Sequence, residues 1–123
     1  MTTDEIANKL VQLSREGKYE QIYKELFSDD IESKEPMKHG EWDTAKGMTG
    51  IKAKAEKWHE MVEEMIGGEI SDPIVAGDHF TCSWKTKVKF RGAPEPVNMD
   101  EIAVYEVKND KIVLEQFFYT PFE

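Results

Sequence analysis

One cysteine, Cys82, stands in 123 residues, which excludes an intrachain disulfide and fits a reducing compartment. Positive charge is scarce: 16 Lys and Arg are set against 25 Asp and Glu, a formal net charge of −9. That balance argues against a phosphate-backbone ligand, so no nucleic-acid partner is expected. No apolar run approaches the roughly 18 residues of a membrane helix. The opening MTTDEIANKL also lacks the basic stretch and apolar run of a leader peptide. No membrane partner is expected, and the cytoplasm is the expected location. Histidines occur only at 39, 59 and 79, twenty residues apart on different elements, which is no metal-ligand spacing. No Gly-rich phosphate loop follows a strand. Neither metal nor cofactor is expected.

What is present is 39 % hydrophobic and 33 % charged residues, the mix of a globular chain long enough for its own core. A single domain over 1–123 is expected. Thr3 or Asp4 can cap a first helix carrying Ile6, Leu10, Val11 and Leu13 at helical spacing, with Gly17 ending it. A second helix carries Tyr19, Ile22, Tyr23, Leu26 and Phe27, and Ser28-Asp29-Asp30 breaks it. Ile31 to Pro36 reads as a short strand, and Met37 to Met48, without periodicity, as a loop. Thr49 is a good N-cap for a third helix with the stripe Ile51, Ala55, Trp58, Met61, Val62 and Met65. Gly67-Gly68 stops that helix or breaks a strand beginning near Met65. Strands and turns follow from Glu69, with Asn109-Asp110 a tight hairpin signal. Helices first and a mostly antiparallel sheet after them define an α+β fold, with the helices on one sheet face.

From His79 onward a period-2 stripe runs through three segments. Phe80, Cys82, Trp84, Thr86, Val88 and Phe90 share one side of the first. The second places Val97, Met99, Glu101, Ala103, Tyr105 and Val107 together, and the third Ile112, Leu114, Gln116 and Phe118. Glu101 and Gln116 are the polar intrusions. Burying a carboxylate costs several kcal/mol unless it is paired or protonated, so Glu101 points to a pocket. A two-residue loop at Asn109-Asp110 pairs Lys108 with Lys111 and sets Glu101 opposite Phe118; pairing Arg91 with Pro96 sets Thr86 opposite Glu101. The other face holds Ile102, Val104, Val113, Phe117 and Tyr119, a contiguous apolar patch that marks a homodimer interface if the helices cover only the first face. Lys85, Lys87, Lys89 and Arg91 read as a solvated strand face.

Two short helices joined at Gly17, a Ser-Asp-Asp, a brief strand ending in Glu-Pro, a Gly-x-x-Gly-Ile and the closing hairpin "NDKIVLEQFFYT" occur in that order. The order resembles the nuclear transport factor 2-like superfamily, and within it the SnoaL-like polyketide cyclase and ketosteroid isomerase branch. The resemblance covers nearly the whole chain and implies a cone: a curved, mostly antiparallel sheet wrapped around three N-terminal helices, open at its wide end and often dimerising through the outer sheet face. It also implies a role for Glu35, which stands where the isomerases carry their general base, immediately before a proline. Their oxyanion-hole positions fall near Leu10 and Ala103, neither of which offers a donor, so steroid isomerisation is not expected. The acid/histidine pair of SnoaL-like cyclases has no clear counterpart.

The candidate catalytic residues are Glu101, whose carboxyl a hydrophobic surrounding raises toward neutral pH, Glu35 as partner acid across the pocket, and His39 as a proton shuttle at its mouth. Against these stand a rim glutamate bonded to backbone, a surface glutamate and a solvated loop histidine. Candidate ligand-binding residues are Trp42, Trp58, Trp84, Thr86, Phe90, Met99, Gln116 and Phe118, with core packing as the alternative. The expected function is binding of a small hydrophobic molecule, with acid/base catalysis of isomerase, cyclase or lyase type. Two alternatives remain: a non-catalytic carrier or sensor, and a dimeric interaction module whose pocket is filled by side chains.

Overall fold

A computed structural model describes residues 1–121, so the last two positions of the expected 1–123 domain lie outside the described residues. Helix α1 (Thr3–Arg15) is capped by Thr2, not by Thr3 or Asp4 as the sequence suggested. The Thr2 hydroxyl accepts the Glu5 N–H at 3.1 Å while the Glu5 carboxylate accepts the Thr2 N–H at 3.0 Å, a reciprocal pair that Thr3 and Asp4 cannot form. Gly17, at φ +72°, turns the chain into α2 (Tyr19–Glu25), as expected.

Strand β1 (Phe27–Pro36) starts earlier than the sequence suggested and absorbs Ser28-Asp29-Asp30, which was expected to be a break. Its register against the last strand shifts between Phe27 and Glu32, so the polar triplet rides on an irregularity instead of ending the element. The expected loop from Met37 to Met48 is a short 3-10 turn (Lys38–Gly40) followed by strand β2 (Trp42–Lys46), paired antiparallel with β1. Helix α3 (Gly47–Met61) begins ahead of Thr49 with no side-chain cap, and β3 (Val62–Ile70) follows it at once. The expected helical continuation through Val62 and Met65 is therefore strand.

The remaining strands are β4 (Ile74–Ala76), β5 (His79–Phe90), β6 (Val97–Lys108) and β7 (Lys111–Phe118). The sheet order is β2-β1-β7-β6-β5-β3, with β4 beside β5. Pairings are antiparallel except β1 with β7, giving the mostly antiparallel, open, curved sheet of a cone. The Asn109-Asp110 turn carries φ of 52° and 64° and pairs Lys108 with Lys111, as the sequence predicts.

One irregularity changes what each face holds. The β6–β7 register shifts between Glu106 and Val107, so Ile112 faces Val107 but Leu114 faces Glu106, and Val113 is the extra residue. A one-residue slip flips every side chain beyond it. Glu115, Phe117 and Tyr119 therefore share the inner face with the odd positions of β6, while Gln116 and Phe118 face outward, the reverse of the expected assignment. Gln116 and Phe118 leave the candidate pocket; Phe117 and Tyr119 leave the expected outer patch. The β5–β6 register is two residues off expectation, which preserves the face but puts Trp84, not Thr86, opposite Glu101.

Inside the cone, Ile6, Ala7, Leu10 and Val11 of α1 and Leu26 after α2 pack on Phe80, Cys82, Ala103, Tyr105 and Ile112 of the sheet. The Phe80 and Tyr105 rings stack with centroids 4.7 Å apart. Leu10 and Ala103 are both buried core.

Candidate active site

Past this core, toward the open end, the inner face turns polar. Ser33 and Glu35 are two residues apart on β1 and so project on the same side. Ser33 is the register partner of Glu115 on β7, and its hydroxyl donates to Glu115 Oε1 at 2.7 Å. Lys54 arrives from α3, one turn beyond the buried Ile51. Its Nζ donates to Ser33 Oγ at 2.7 Å, forms an ion pair with Glu35 Oε2 and lies 4.7 Å over the centre of the Phe117 ring. Tyr119 Oη donates to the other Glu35 oxygen at 2.6 Å. A continuous hydrogen-bonded chain thus runs Glu115–Ser33–Lys54–Glu35–Tyr119.

Glu101 stands beside this chain, half-buried and register-paired with Trp84, and makes no hydrogen bond among the described residues. Burial pushes its carboxyl up from 4.5 to about 7; the neighbouring Glu35 and Glu115 add to the rise, and Lys54 offsets part of it. Burial also raises Glu115, against the Lys54 ammonium and the Ser33 hydroxyl, which stabilise its charge. The Tyr119 hydroxyl is held well above its ordinary value by burial and by the Glu35 carboxylate it serves.

The indole N–H of Trp84 is buried and meets no hydrogen-bond geometry among the described residues. It faces the Cys82 and Tyr105 side chains and lowers both pKa values, but the larger effect of burial wins: the thiol sits at about 11 and the Tyr105 hydroxyl well above its ordinary value. A thiol so placed is protonated at neutral pH and packs as a small hydrophobe, as expected.

The other sequence candidates divide. Thr86 and Met99 are register partners on the inner face, two residues along from the Trp84–Glu101 pair. Trp58 and Phe90 meet edge to face at 5.7 Å, joining α3 to β5. Trp42 instead packs edge to face on Phe118 at 5.4 Å, and both are exposed on the outer side of the sheet, away from the cone. His39 is exposed in the 3-10 turn at φ 65°, with no hydrogen bond or ion pair to the cluster among the described residues. Lys54, Ser33, Glu115 and Tyr119 were missed. Lys54 had a legible signal: with Ile51, Ala55 and Trp58 it falls on the apolar stripe of α3, the same anomaly that singled out Glu101.

Chemically, the arrangement offers a carboxyl that exchanges its proton near neutral pH and a second carboxylate fixed by an ammonium and a phenol. Trp84, the register partner of Glu101, and Met99 and Thr86 on the neighbouring pair share the inner face with Glu101. Among the described residues no group of His, Cys, Asp and Glu is disposed to hold a metal ion.

With this geometry in place, a profile of the SnoaL-like domain family matches residues 1–119. The chain belongs to the SnoaL-like domain family. Its fold is that of the nuclear transport factor 2-like superfamily, also described among its neighbours as ketosteroid isomerase-like and cystatin-like. A structure from Mesorhizobium loti, provisionally named a SnoaL-like polyketide cyclase and, in brackets, carbohydrate phosphatase, is 35 % identical with a TM-score of 0.87, covering 97 % of this chain and 100 % of its own. A Catenulispora acidiphila protein of ketosteroid isomerase-like fold, solved with trimethylamine, is 23 % identical with a TM-score of 0.66, covering 77 % and 70 %. TerC, co-crystallised with polyporic acid, is 19 % identical with a TM-score of 0.71, covering 95 % and 88 %. At these lower identities the likeness is one of fold. No curated protein matches. Among the described residues no helix is long and apolar enough to cross a membrane.

Proposed function

We propose that this SnoaL-like domain, spanning 1–123, binds a small apolar or aromatic molecule at the open end of its cone and performs acid/base chemistry on it, of isomerase, cyclase or lyase type. Glu101 is the proton donor and acceptor and Glu35 the partner carboxylate. The observation that carries this reading is the pairing of unlike environments: a Glu101 carboxyl raised to about 7 beside a Glu35 held by Lys54 and Tyr119. One carboxyl raised toward neutrality beside a second fixed by a cation and a phenol can exchange a proton while its neighbour orients the substrate. The bound molecules named for TerC and for the Catenulispora acidiphila protein support a small-molecule site in a cone of this shape. Phosphate esters fit poorly, because Glu35, Glu101 and Glu115 surround the single ammonium of the cluster and repel an added anion.

The second reading is a carrier without turnover, favoured by the apolar Leu10 and Ala103 where isomerases keep oxyanion donors. Glu101→Gln separates the two. Loss of turnover with binding retained supports catalysis; binding in both proteins with no turnover even in the wild type supports a carrier. The buried, unpaired Cys82 supports a reducing compartment, hence the cytoplasm. The outer sheet face, now Ile102, Val104 and Phe118 with Trp42 beside them, is our proposed homodimer surface.

A further inference from the structure

We propose that Lys54 is the positioning residue of this site, tethered through Ser33 to the buried Glu115 so that its ammonium stays against Glu35 and beside Glu101. The proposal rests on reading Glu101 and Glu35 as the acid/base pair. A free lysine has many rotamers and prefers to extend into water. Here the side chain is only 33 % exposed and bends inward. Besides the Phe117 ring, two polar groups hold it there: Glu35 directly, and Ser33 Oγ, which accepts from Nζ and donates onward to Glu115. Ser33 has no exposed surface, so it cannot reach a substrate as a nucleophile despite standing next to a lysine. What it can do is fix the lysine.

Glu115 gives that tether its purpose. It is a carboxylate on the inner sheet face with a serine hydroxyl as its hydrogen-bond donor, and Lys54 is the cation that offsets its burial. Three carboxylates, Glu35 from β1, Glu101 from β6 and Glu115 from β7, thus surround one ammonium from α3. Tyr119 ends the chain at Glu35, and the Asp43 charge on β2 also acts on its hydroxyl. Because Glu35 and Glu115 raise the Glu101 carboxyl and Lys54 lowers it, the place of the ammonium decides where Glu101 exchanges its proton.

The test is the titration of Glu101 by carboxyl-resolved NMR in the full-length chain, in the wild type and in Lys54→Met, Lys54→Arg and Ser33→Ala. Lys54→Met should move the Glu101 midpoint up by about one pH unit. Ser33→Ala removes no charge, yet should move it up by roughly half as much, because an untethered ammonium spends more time in water. Lys54→Arg should restore most of the wild-type midpoint. Should Lys54→Met not fold, the other two variants still decide the matter. An unmoved midpoint in Ser33→Ala would mean that Lys54 is merely a nearby charge and would overturn the tether; an unmoved midpoint in Lys54→Met as well would remove Lys54 from the site. No readout here requires turnover, so these outcomes are distinguishable from a failure of the acid/base reading, which would appear as Glu101→Gln leaving turnover intact.

Discussion

Glu101 and Trp84 are direct register partners across β5 and β6, and both face the inside of the cone. An aromatic ring in place of water beside a carboxyl destabilises the charged form, and the nearby Glu35 adds like charge. The adjacent positions along β6, Met99 and Ala103, offer Glu101 no compensating donor.

The first prediction concerns stability against pH. Glu101 has a folded value, about 7, above its unfolded value of 4.5. The protonated form folds without penalty, so this contribution is fully present below 4.5. It is lost progressively as pH rises toward 7 and stays lost above. Glu101→Gln keeps the shape without the charge, so it should stabilise the protein at pH 8 by on the order of 1–3 kcal/mol and be near neutral at pH 4. Chemical denaturation at both pH values measures this.

A second expectation concerns ligands. Apolar aromatic molecules should bind with micromolar to millimolar affinity, since burying drug-sized apolar surface at ~25 cal/mol per Å² exceeds the cost of association by a few kcal/mol. In a Trp42→Phe/Trp58→Phe background, the remaining Trp84 emission should respond. A diverse hydrophobic set that changes neither this emission nor the melting temperature would remove the ligand site.

On the outer face, Ile102 is 50 % exposed and paired with Phe118, itself 44 % exposed. Light scattering across a tenfold dilution at micromolar concentration should give a dimeric mass, and Ile102→Lys should give a monomeric one with the fold intact. A monomeric wild type, or a dimer indifferent to Ile102→Lys, would place any association elsewhere.

The Phe80–Tyr105 stack beneath α1 is the aromatic centre of the core. Phe80→Ala should cost about 3–5 kcal/mol, because Tyr105 and the α1 residues above it cannot collapse into the space. Equilibrium unfolding in urea provides the measurement.

Much of this architecture was legible in the chain because alternation reports on burial. The β5 and β6 faces, the Asn109-Asp110 hairpin and the anomaly of Glu101 all follow from period-2 spacing and turn chemistry. The orientation of β7 was not legible, because the extra residue Val113 is a β-branched apolar residue like any other in a strand. That single slip hid Glu115 and Tyr119 and promoted Gln116 and Phe118. The β2 strand was hidden for a different reason: its five residues are too short for a period and pair only with β1 at a sheet edge. Lys54 was hard to see because a lysine stem can lie along an apolar stripe with its ammonium in water, although its position between Ile51 and Trp58 marked it.

The central claim is that the inner face holds a carboxyl poised near neutral pH, and the most direct measurement is the NMR titration of Glu101 in the wild-type protein. The arrangement described here predicts a midpoint about 7, rising further if Lys54 loses its charge. A midpoint at or below about 4, accompanied by clear destabilisation in Glu101→Gln, would show Glu101 to be a paired structural anion. The acid/base assignment would then be wrong.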